Sequence, residues 1–180
     1  MSSDAIVDQT DRATILKMLS ESSAAFEDAV AGVSKDDAAH KPADGGWSIT
    51  EIAEHVSVAE EGMFFMLTER FRPIPEAAPD QQKETRLVNI TLNRNQKMES
   101  PEVSKPSGKF ASLSEALAHF RACRARTIHY VEQSKDDQRK RSVKHPLAGV
   151  VTGYEYMLIL ANHPTRHAAQ VREVRSNLGF

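Results

Sequence analysis

Apolar residues recur at three- and four-residue steps along four long stretches of this chain, the spacing of one face of a helix. In residues 10–33, Ile15, Leu19, Phe26 and Val30 fall on one stripe, Lys17, Glu21, Glu27 and Asp28 lie mostly elsewhere, and Gly32 marks the end. A second helix opens after Trp47. Ser48-Ile49-Thr50-Glu51 spells a capping box, and Trp47 with Ile52 is the apolar pair that staples the incoming chain to the first turn. Its stripe runs through Ile52, His55, Val56, Ala59, Met63 and Met66, and it should stop before Pro73. Ser112-Leu113-Ser114-Glu115 is another capping box; it opens a third helix striped by Leu113, Leu117, Phe120, Ile128 and Val131 and ending near Ser134. The fourth helix carries Met157, Leu160, Ala161, Ala168, Val171 and Val174 and ends at Gly179.

The connections are legible by their breakers. Residues 34–46 contain Pro42 and Gly45-Gly46 and read as a loop, and residues 135–153, with Pro146, Gly149 and Gly153, as a series of turns. The stretch from Pro73 to about residue 110 holds Pro73, Pro75, Pro79, Pro101 and Pro106 around a polar interior. It predicts a long arm over the surface, with a short helix possible over residues 80–98 and the least order over residues 100–108. No alternating strand pattern stands out. The expected fold is all-α: a four-helix bundle in one domain, residues 1–180, with the long connection between helices two and three.

Composition narrows the function classes. Of 180 residues, 40% are hydrophobic and 27% charged, as in an ordinary globular chain. No apolar run nears the ~20 residues of a membrane span, and residues 1–10 lack the basic start and apolar core of a secretory signal. A single cysteine, Cys123, suits a reducing cytoplasm. A net charge of −2 gives no pull toward nucleic acid. The basic run Arg139-Lys140-Arg141 with Lys144 follows Asp136 and Asp137 and reads as a solvated turn.

Seven histidines are present, and pattern singles out three. His163 and His167 stand four apart, one turn along a helix face, where two imidazoles can grip one ion. His55 interrupts the buried stripe of another helix. In a bundle such stripes meet at the axis, so the three rings could form a metal site of the kind that zinc or nickel takes, with a coordination position left open. From pattern alone the competing reading, three histidines each hydrogen-bonded or partly exposed, stands level with it.

The run Gly45-Gly46-Trp47-Ser48-Ile49-Thr50-Glu51-Ile52-Ala53-Glu54-His55-Val56 resembles the second-helix signature of the DinB-like family. So does the closing series His145-Pro146-Leu147-Ala148-Gly149, Glu155-Tyr156 and His163-Pro164-Thr165-Arg166-His167-Ala168-Ala169-Gln170-Val171. The family comprises four-helix metalloenzymes, including YfiT-type proteins and thiol S-transferases, and the resemblance spans nearly the whole chain. It implies a metal triad of His55, His163 and His167 and pairing as a homodimer. It also implies a hydrolase or thiol-dependent S-transferase acting on a small molecule, such as a low-molecular-weight thiol. A non-catalytic dimeric bundle that binds a small ligand is the alternative.

Pro164 departs from the pattern: it removes the N–H that would bond the Leu160 carbonyl, so the helix should kink there or restart with His163 as its cap. Gln170 is a candidate partner of His167 or of substrate. Glu51, one turn before His55, could orient that ring, although its capping role already accounts for it. Glu54 and Glu60 read as surface residues, Cys123 as a buried inert thiol, and Met63 and Met66 as core.

Overall fold

The capping signals in the sequence act as written in a computed structural model that describes residues 3–43, 45–75, 78–96, 98–146 and 148–179. Helix α1 spans Ser3–Val30, a short α2 Lys35–Ala39, and α3 Ile49–Glu69. The Ser48 hydroxyl accepts from the Glu51 N–H at 3.2 Å, and the Glu51 carboxylate accepts from the Ser48 N–H at 2.9 Å. Two of the four orphan donors at the start of α3 are thereby satisfied. Then come a two-residue strand β1 (Arg72–Pro73), α4 (Gln81–Leu92), α5 (Leu113–Gln133), a hairpin of β2 (Arg141–His145) and β3 (Gly149–Thr152), and α6 (Gly153–Leu178). At α5 only half of the expected box forms: Ser112 accepts from the Glu115 N–H, while the Glu115 carboxylate reaches one residue further back, to the Ala111 N–H.

The four long helices α1, α3, α5 and α6 are the four read from the sequence, and the fold is mostly helical. Helix α1 packs along α6 and α3 along α5, while α3 on α6 and α1 on α5 close the bundle. Two buried clusters stack along it. The first joins Ile15 and Leu19 to Leu67, Val131 and the run from Tyr154 to Ala161; the second joins Phe26 and Val30 to Ile52, Val56, Phe120, Ala168 and Val171. On α6 the change from one cluster to the other falls between Ala161 and Ala168, where His163 and His167 sit.

Several expectations are corrected. Residues 34–46 contain α2, capped by Ser34, whose side chain accepts from the Asp37 N–H. The turn-rich stretch holds the β2–β3 hairpin, paired from Ser142 with Thr152 to His145 with Gly149, and β1 adds an antiparallel edge. Strands this short carry too little alternation to be read. Leu147, part of the closing motif, lies outside the described residues, as do residues 76, 77 and 97 of the arm.

The basic run is no solvated turn. Arg139 is buried and bonds the Asp11 carboxylate at 2.6 Å and that of Glu84 at 2.8 Å, with its guanidinium 4.2 Å from the centre of the Tyr154 ring. Glu54 and Glu60, expected at the surface, are 2% and 0% exposed. Glu60 accepts from Arg124 and from the Thr127 hydroxyl, both at 2.8 Å, and Arg124 also donates to Ser22 and the Leu19 carbonyl. A buried carboxylate is tolerated because its charge and its oxygens are all matched.

The described residues of the arm are anchored at several points. Its helix α4 packs on α6 and ends at Leu92, short of the expected range to residue 98. Residues Glu102–Ser104, within the stretch expected to be least ordered, form a 3₁₀ turn against α3.

Candidate metal centre

Helix α6 starts from a second full capping box, Thr152 with Glu155, and runs without interruption through Pro164. His163 is therefore no helix cap, and the restart at Pro164 does not occur. Pro164 is itself buried, and packing on both core clusters holds the helix through the missing bond. The four-residue spacing then acts as on any helix: the Nε2 atoms of His163 and His167 stand 3.1 Å apart. His55, from α3, brings its Nε2 to 3.2 Å from that of His163. The three ring centres lie 4.5–5.1 Å from one another.

The outer nitrogens decide what the inner ones present. His55 Nδ1 lies 2.7 Å from the Ser104 carbonyl, which can only accept, so Nδ1 carries the proton and Nε2 a lone pair. His167 Nδ1 donates to Gln170 Oε1 at 2.7 Å, again leaving Nε2 bare. Two lone pairs thus face His163 Nε2, and a single N–H there could not satisfy both. His163 Nδ1 is buried without a hydrogen-bond partner among the described residues. Burial, reinforced by the neighbouring rings, holds His163 and His167 well below the usual histidine range, and burial also lowers His55. All three are kept neutral, the form that binds metal.

A divalent ion fits this donor set. Ligand nitrogens ~2.0–2.1 Å from one ion, at angles between octahedral and tetrahedral, stand roughly 2.9–3.4 Å apart; the two separations from His163, 3.1 and 3.2 Å, fall within that span, and the three ligand atoms lie within 4.8 Å of one another. Such an ion would also relieve the buried lone pairs, whose isolation otherwise costs about 1–3 kcal/mol each.

Gln170 takes the place beside His167 that the sequence suggested. Glu51 does not reach His55; its carboxylate is engaged by the Ser48 N–H and by Lys41 at 2.8 Å. Three neighbours went unread. The Ser104 carbonyl comes from the arm, and a backbone acceptor leaves no residue-type signal. Trp47 packs its ring 5.0 Å from that of His55, in addition to its place on the second core cluster. Buried Arg166, between the two α6 histidines, donates to the carbonyls of Thr91, Asn93 and Gln96 and so caps the end of α4.

A second group of ligand-type side chains, Glu61, His119 and Cys123, lies between α3 and α5. His119 Nδ1 is 2.7 Å from the Ser57 hydroxyl and 3.6 Å from Cys123 Sγ, and its Nε2 is 3.7 Å from Glu61. Cations already occupy this group: Arg126 donates to Cys123 Sγ at 3.1 Å and lies 3.8 Å from Glu61, and Lys109 is 3.4 Å from the same carboxylate.

A helical bundle with three imidazoles converging from two of its long helices defines the class. Within that class, the chain belongs to the DinB superfamily, whose sequence profile matches residues 18–171. It is 24% identical over 147 residues to the uncharacterised protein YuaE of Bacillus subtilis (strain 168), covering 82% of this chain and 88% of that one. The fold is also that of YfiT from Bacillus subtilis, described as a probable metal-dependent hydrolase with an unusual four-helix bundle topology. That match has a TM-score of 0.60 at 20% identity, over 94% of this chain and 88% of YfiT. Among the described residues, no helix is long and apolar enough to cross a membrane.

Proposed function

We propose that this protein is a metal-dependent hydrolase of a small molecule, with His55, His163 and His167 holding one divalent ion, zinc or nickel. The observation that carries the reading is the convergence of three Nε2 atoms, two of them left bare because the outer nitrogens of His55 and His167 are committed to Ser104 and Gln170. Three neutral imidazoles suit either metal. An ion held there supplies Lewis acidity toward an oxygen or sulfur atom of the substrate.

The chain's own residues position and protect. Ser104 and Gln170 aim two of the rings, and Trp47 covers one side of His55. Burial of the rings restricts water around them. Hydrolysis is preferred to thiol transfer because it needs only water, whereas Cys123 belongs to the separate group with His119 and Arg126 and transfer would need a small thiol from solution. The description of YfiT supports the same choice. Pairing of two copies belongs to this reading, and light scattering at micromolar concentration should return twice the chain mass.

The test of the reaction is a panel of small esters, amides and thioesters offered to the zinc- or nickel-loaded protein. Turnover should vanish on chelation and in His167→Ala. Turnover that survives both would overturn the assignment, and transfer to an added low-molecular-weight thiol, with no release of free acid, would replace hydrolysis by S-transfer.

A further inference from the structure

The arm between α4 and α5 touches the histidine cluster at one point, and the residue that holds it there is next to a histidine in sequence. Glu54 is buried on α3, beside His55. One oxygen of its carboxylate accepts from the Ser107 N–H at 2.6 Å, the Lys109 N–H at 3.1 Å and the Ser107 hydroxyl at 3.3 Å. The Ser104 carbonyl, three residues before Ser107, accepts from His55 Nδ1. The chain here has little freedom: before the two anchors the Ser104 N–H and hydroxyl both close on the Pro101 carbonyl, and between them Pro106 fixes its own φ. The ring of His55 and the carboxylate of Glu54 thus hold the same short piece of arm at two points. Arg166, beside His167, grips the arm's other end through the carbonyls of Asn93 and Gln96.

We propose that Glu54 is a positioning residue for the histidine centre: by gripping Ser107 and Lys109 it keeps the Ser104 carbonyl on His55 Nδ1 and so decides which nitrogen of His55 carries the proton. Glu54 meets neither ion nor substrate; it acts through the arm. Without it the carbonyl is free to leave. His55 then loses the acceptor that holds its proton on Nδ1, and the proton can move to Nε2, where it blocks the lone pair. Loss of such an outer partner costs about 10–100-fold in metal affinity. The consequence for zinc rests on the function proposed above; the consequence for the His55 proton does not.

Glu54→Ala and Glu54→Gln test this in the full-length protein. In metal-free protein labelled with nitrogen-15, the imidazole correlations of wild type should show His55 with its proton on Nδ1. Glu54→Ala should show a mixture of tautomers, expose the Lys109–Phe110 bond to trypsin, and raise the rate of zinc loss to a chelator by about tenfold or more. Glu54→Gln, whose amide oxygen can still accept, should stay near wild type in all three. Should Glu54→Ala not fold, Ser107→Pro deletes two of these three donors, the N–H and the hydroxyl, from the arm side and leaves the α3 sequence untouched, with the same expectations. The proposal is overturned if trypsin cuts the arm while the His55 proton stays on Nδ1, or if the arm stays closed to trypsin in Glu54→Ala. A wild-type protein that binds no zinc would refute the proposed function alone, since tautomer and cleavage would still report on Glu54.

Discussion

Among the described residues, two groups of metal-type side chains sit in this bundle, both drawing on α3, and they differ in what surrounds them. Glu61, His119 and Cys123 offer the more varied donors, a carboxylate, an imidazole and a thiol. Yet Arg126 and Lys109 already neutralise them, and His119 has a hydroxyl partner in Ser57. His55, His163 and His167 offer one donor type. Their outer nitrogens are turned away from each other, their inner ones converge, and no cationic side chain among the described residues bonds them. A donor set becomes a site only when its lone pairs are left without other partners.

The sharpest way to break this comparison is to remove one ligand from each group. His163→Ala should lower zinc or nickel affinity by more than about a hundredfold, beyond the loss of an outer partner, because two imidazoles hold an ion poorly. His119→Ala should leave the stoichiometry unchanged, and metal content tracking His119 would reverse the assignment of the two groups. Gln170→Ala should come next, weakening binding by about 10–100-fold through the freed His167 ring; competition with a chelator of known affinity reads it.

The two groups should also fail at opposite ends of the pH scale. His163 and His167 have depressed folded-state values, so below the ordinary ~6.5 the unfolded chain takes up protons that the folded chain refuses. Stability of the metal-free protein therefore falls as pH drops through about 6.5, and substituting both by Gln should flatten that limb of a melting profile. Burial raises the Cys123 thiol, so its contribution is present below the ordinary ~8.5 and fades above it. The difference between Cys123→Ser and wild type should then change only in alkaline solution. This is the smallest of the effects, because Arg126 offsets part of the burial.

The four long helices and the histidine trio were legible because each has a local signal: a capping box, a stripe, a four-residue spacing. Pro164 misled for the same reason. Its penalty is local, and two core clusters packed against α6 outweigh it. Glu54 and Glu60 were misread because a carboxylate announces exposure unless its partners are known, and those partners, the Ser107 N–H and the Arg124 guanidinium, are 53 and 64 residues away. The β2–β3 hairpin is local but its strands are too short to show alternation, while β1 and the 3₁₀ turn at Ser104 are held by partners far off in sequence, β2 and α3.

The most direct test of the metal centre is a calorimetric titration of tag-free, chelator-stripped protein with zinc and with nickel, run beside His55→Ala. His55 is the proposed ligand that ties α3 and the arm to the α6 pair. The expected result is one ion per chain in wild type and loss of that binding in His55→Ala. No binding of either ion in wild type, or an unchanged isotherm in His55→Ala, would contradict the account.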